Sequence, residues 1–148
     1  MNQKRRKIKK VLDLREQALE QRALELTQSK SVLSDAQDEH TRESERLQIA
    51  QEHRVKLTSG AIDVNSWIEA EQWLAQRRMD LGRADGRVLA AEAGVQQAWQ
   101  EVVDARIDKK RIELLEARLA TGEAEQINRL EQLLSDELAQ RHRKPNGS

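Results

Sequence analysis

The chain has no cysteine, one proline (Pro145), three tryptophans, and neither tyrosine nor phenylalanine. Without cysteine there is no disulfide framework and no thiolate metal site, a usage that fits a reducing compartment. Aromatics at 2% against charged residues at 35% exclude a wide globular core. With the sole proline at Pro145, nothing upstream of it forbids long helices except one short breaker segment. No apolar run approaches about 18 residues and no signal-peptide-like segment is present, so the expectation is a cytoplasmic protein without direct membrane insertion.

What the chain does contain is heptad order. About half of it is Ala, Glu, Lys, Leu and Arg, as in coiled coils. Leu12, Leu19, Leu26, Leu33 and Leu47 lie on one seven-residue ladder, with His40 filling its gap. Trp67, Leu74, Leu81, Val88, Val95 and Val102 form a second ladder. Three positions behind the second run Ala70, Ala84, Ala91, Ala98, Ala105, Ile112 and Leu119. A repeat of 3.5 residues per turn, sustained this long, keeps an apolar stripe facing a partner helix.

Between the two halves lies Thr58-Ser59-Gly60-Ala61-Ile62-Asp63-Val64-Asn65. Gly60 ends a helix at little steric cost, and Ser66 with Glu69 has the spacing of a capping box. The predicted fold is all-α, a long two-helix antiparallel coiled-coil hairpin whose second helix is the longer. Residues 1–148 are expected as one such hairpin: helix one at about 4–57, turn 58–65, helix two at about 66–142 and a disordered tail 143–148.

Pairing Leu57 with Trp67 across the turn fixes the register. Leu33 then meets Ala91, Leu26 meets Ala98, Leu19 meets Ala105 and Leu12 meets Ile112. In the alternate layers Leu74 meets Ala50, Val88 meets Ala36 and Val95 meets Ser29. Large faces small, so a narrow core fills without overpacking. Arg22, Lys109, Arg15, Glu43 and His40 interrupt the pattern, and long charged side chains are expected to reach out of the seam. Gly82 and Gly86 fall mid-helix, where they admit a close neighbour or soften the helix.

In this register the first helix runs out near residue 120. The segment after Thr121-Gly122 nevertheless has its own stripe of Ile127, Leu130, Leu134 and Leu138. Either it folds back at Gly122 or it awaits another protein, and the i, i+3, i+7, i+11 spacing favours the second. Trp73 and Trp99 flank the seam, where each ring either covers the core edge or anchors a partner. Met79 and Ile107 fall on the outer face, which a free hairpin does not require.

The net charge is zero, yet six of the seven residues from 4 to 10 are basic, leaving −6 on the remainder. Such a cluster is a solvated helix end, a contact for an acidic protein surface, or a contact for nucleic acid or anionic lipid. A nucleic-acid ligand is not expected, since no aromatics interleave for base stacking. No cofactor is expected and no enzyme is expected: His40, His53 and His142 lack metal-ligand spacing, and the glycines form no phosphate cradle.

Four segments, in order, resemble the FliJ family, the stalk proteins of flagellar type III export. They are Lys10-Val11-Leu12-Asp13-Leu14-Arg15-Glu16; Gly60-Ala61-Ile62 followed by Trp67-Ile68 and Gln72-Trp73-Leu74; Asp108-Lys109-Lys110-Arg111-Ile112-Glu113-Leu114-Leu115; and Ser135-Asp136-Glu137-Leu138-Ala139-Gln140-Arg141. The resemblance implies a non-enzymatic central stalk that enters the hexameric export ATPase ring, reaches the cytoplasmic domain of the membrane export gate, and binds export chaperones. Carried onto this chain, ring contacts would involve Lys7, Lys10, Leu14, Ile127, Leu130, Leu134 and Leu138. The gate contact would centre on Trp73, and Arg77 stands one turn later where the family has an aliphatic residue. The protein would then be cytoplasmic, peripheral to the inner membrane. The YscO-type injectisome stalk shares this fold and role, and a generic coiled-coil adaptor is the remaining reading.

Overall fold

The computed structural model describes residues 3–143, with side chains through residue 140. Beyond Arg143, the expected disordered tail lies outside the described residues. Two helices account for the fold: α1, Gln3–Leu57, and α2, Val64–Arg143, of 55 and 80 residues. There is no strand among the described residues, and α2 is the longer helix. The chain divides into a hairpin unit, Glu20–Val103, and a terminal unit, Met1–Leu19 with Asp104–Ser148.

The turn closes with polar side chains substituting for lost helical bonds. Thr58 Oγ1 and Ser59 Oγ donate to the carbonyls of Val55 and Lys56 at 2.6 and 2.8 Å, satisfying the end of α1. Gly60 takes φ +102°, a left-handed conformation that side chains rarely adopt. The start of α2 corrects the sequence expectation. Asp63, not Ser66, is its N-cap: the backbone of Asn65 donates to Asp63 Oδ1 at 3.1 Å, and Ser66 Oγ donates to Asp63 Oδ2 at 2.9 Å. With Trp67 N bonded to the Asp63 carbonyl at 3.0 Å, the helix opens two residues before Ser66. A charged carboxylate at the positive end of a helix outcompetes a hydroxyl. Asp63→Ala should therefore cost about 1 kcal/mol in thermal unfolding, and Ser66→Ala clearly less.

In the hairpin unit the helices are antiparallel. Arg54 pairs with Glu71, His40 with Asp85 and Arg22 with Glu101, each one residue from directly opposite in the anticipated register. Buried side chains repeat every seven residues on α1 (Ala36, Glu43, Ala50) and fall at spacings of seven and four on α2 (Ala91, Ala98, Val102). Leu74 and Ala50 are fully enclosed, each at 0% exposure. Leu33, Leu47, Leu81, Val88 and Val95 are only half-buried, because the edges of a two-helix seam stay open to solvent at most layers. Arg22 lies half out of the seam, whereas Glu43 is buried at 8%.

The terminal unit repeats the scheme with thinner cover. Leu12, Leu19, Ala105 and Ile112 are half-buried. Lys109 Nζ reaches Glu16 at 3.5 Å, and Arg5 Nη1 reaches Glu123 at 2.9 Å.

Candidate partner-binding surfaces

The Arg5–Glu123 ion pair joins two side chains each about a quarter exposed, and it marks where α1 stops covering α2. From Ala124 to Gln140 every residue of α2 is exposed. Ile127, Leu130, Leu134 and Leu138 stand at 55–61% exposure, so the sequence-derived stripe has no intramolecular cover within this unit. Leu133, at 65%, belongs to the same surface and was missed. Its signal was present: the companion ladder through Ile112 and Leu119, continued in sevens, arrives at Leu133.

Lys7, Lys10 and Leu14 are also exposed, Leu14 at 62%. They occupy the outer face of α1, which the Lys109–Glu16 and Arg5–Glu123 pairs set beside the stretch of α2 that precedes Glu123. The structure therefore does not gather the basic residues and the leucine stripe into one spot; they follow one another along the unit. Leu114, Leu115 and Ile107, at 44–49%, add apolar area that the sequence reading left aside or only partly flagged.

In the hairpin unit, Trp73 is 39% exposed and stands edge-on to His53, with ring centroids 5.6 Å apart and planes at 73°. Both residues flank the seam, so the pair forms an aromatic ledge on one side of it. Arg77 behaves differently from an open contact residue. Its guanidinium pairs with Asp80 at 3.1 Å and approaches Glu43 at 4.0 Å, leaving the side chain 23% exposed. It occupies a seam position of the alanine ladder, one the size-based reading skipped. Val55, Ile62 and Val64 are exposed at 57–66%, making the turn apolar as well. Further along, an open groove lies between the helices, floored by Ser29, Ala36, Ala90, Ala91 and Gly94.

Electrostatics here are those of a solvated surface. Arg22 donates to Glu25 at 3.0 Å and holds that carboxyl below its ordinary range, with Gln21 adding a weaker hydrogen bond. Glu25 is thus charged at neutral pH, and its small, solvent-screened contribution disappears as pH falls through the lowered pKa. Among the described residues no three His, Cys, Asp or Glu side chains gather as a metal site, and no helix is long and apolar enough to cross a membrane.

What the geometry offers is an uncovered leucine helix in one unit and an aromatic ledge in the other. The model of the flagellar FliJ protein family matches residues 3–147. The chain belongs to the FliJ family. No curated protein and no solved structure matches it. Membership makes it a component of the flagellar export apparatus, and FliJ proteins are a structural stalk family, not a known enzyme family.

Proposed function

We propose that this FliJ-family chain is the non-enzymatic central stalk of the flagellar export apparatus, acting in the cytoplasm at the inner face of the inner membrane. The stretch from Ala124 to Gln140 would enter the hexameric export ATPase ring. The side of the hairpin unit bearing Trp73 would meet the cytoplasmic domain of the export gate. Export chaperones are the third class of partner that the family resemblance implies.

The observation that carries this reading is the uncovered stripe. Five aliphatic side chains exposed on one helical segment form a surface that needs a partner. Lys7, Lys10 and Leu14, on the neighbouring part of the same unit, would add a basic flank suited to an acidic ring lining. Trp73 would serve as the gate anchor, with Arg77 supporting that side of the hairpin through Asp80 and Glu43. No bond is made or broken by such a protein. It couples partners by binding one state of each more tightly than another.

Co-sedimentation with the cognate export ATPase tests the reading, comparing the parent chain with Leu130→Asp/Leu134→Asp. Binding by the parent and its loss in a still-folded double variant is the expected result. If the parent does not bind, or the double variant binds as well as the parent, the ring assignment fails.

A further inference from the structure

Two unrelated weaknesses coincide in the hairpin unit. The first lies on the seam. Glu43 is the one charged side chain among the buried residues described. Its Oε1 accepts a hydrogen bond from Arg46 at 2.6 Å, but its Oε2 has no hydrogen-bond partner, and neither does Arg77 Nε. Arg77 Nη1 stands 4.0 Å from Glu43 Oε2, a loose ion pair for so enclosed a carboxylate. One layer away His40 occupies the seam and reaches out to Asp85 at 2.5 Å. On the other side Arg77 occupies the seam opposite Leu47. Three successive layers thus each lack one apolar member.

The second weakness lies in the backbone of α2. Gly82 and Gly86 fall at the level of these layers, and a Cβ built on either would meet nothing within 4 Å. Neither has a positive φ, so no packing or backbone conformation calls for glycine at these positions. Glycine in mid-helix still favours the open chain over the helix, because it has more backbone freedom to lose.

We infer that residues 39–47 of α1 and 77–86 of α2 form a joint, where the seam opens and α2 bends more readily than on either side. Opening admits water to Glu43 Oε2 and Arg77 Nε, which the closed seam leaves unsatisfied. The glycines lower the resistance of the backbone at the same level. The sealed layers on either side have no such relief: Ala50 with Leu74 toward the turn, where α2 has no glycine, and Leu26 with Ala98 away from it, beyond Gly94. The inference depends on no partner, and it stands apart from the stalk assignment.

Hydrogen exchange followed by mass spectrometry on the full chain tests it. Amides of 39–47 and 77–86 should exchange at least about tenfold faster than those of 67–74 and 97–102. Gly82→Ala/Gly86→Ala should slow the fast segments on the order of tenfold and leave the flanks unchanged. Glu43→Leu/Arg77→Leu should act in the same direction. Uniform exchange along the unit overturns the joint. So does fast exchange that the alanine pair leaves unaltered; that pair removes no contact, so it remains decisive even if the leucine pair misfolds.

Discussion

Leu74→Ala should lower the thermal midpoint of the hairpin unit by about 10–20 °C, while Leu130→Ala should move it by no more than about 2 °C. Both are leucines on one apolar stripe of α2, and a reading of hydrophobicity alone would rank them together. Leu74 has 0% exposure, as does Ala50, its counterpart in the heptad register. Truncation there removes the larger half of a layer whose other half is already a methyl group. Buried leucine-to-alanine changes cost about 2–5 kcal/mol, and the lower part of that range applies because two helices can close partway on the gap. Leu130 is 61% exposed in the free chain, so its loss leaves no cavity. Equal shifts for the two variants, read by circular dichroism, would mean that the register places the wrong residues inside.

The reverse ranking should hold for binding. Leu130→Asp/Leu134→Asp should weaken association with the export ATPase on the order of 100- to 10,000-fold with the helical content intact. Each leucine, about 60% exposed when free, stands to bury a side chain worth about 1.5–3 kcal/mol in a dry contact. The substituted carboxylates would also have to be desolvated or drive the surfaces apart. Such a loss, set beside an unchanged melting curve, separates a contact role from a folding role. A modest loss, below about tenfold, would place the binding surface elsewhere on the chain.

The features legible in the sequence were those that depend on period. Seven-residue spacing places Leu26 against Ala98 and Ala50 against Leu74 with no knowledge of coordinates, and it leaves the segment after Gly122 uncovered. The features that were not legible depend on competition between similar groups. Asp63 and Ser66 are both good caps three residues apart, and only the observed bonds to Asn65 N and Ser66 Oγ show that the carboxylate wins. Arg77 sits on the alanine ladder by position, yet its chemistry disguised it, since period assigns a face and says nothing about which charge will be drawn inward. The Trp73–His53 contact depends on rotamers, which no spacing encodes. Family membership was readable from four short segments in order; residues that touch partners were not, because an exposed leucine looks the same whatever later covers it.

The pairing of distant stretches also has a consequence for how the chain is made. Within the hairpin unit, paired residues lie 17 apart at Arg54–Glu71, 45 apart at His40–Asp85 and 79 apart at Arg22–Glu101. Closing the widest of these loops is harder than closing the narrowest by only about 1.4 kcal/mol. Time is the larger difference. Ala98 follows Leu26 by 72 residues, so at ribosomal speeds of roughly 5–20 residues per second Leu26 waits about 4–14 seconds for its counterpart. During that interval the part of α1 around Leu26 has no partner for its greasy side and is held only by local bonds that are marginal in water. Its early companions must be the ribosome surface, a chaperone or solvent, and the unit zips shut from the turn outward only once α2 emerges.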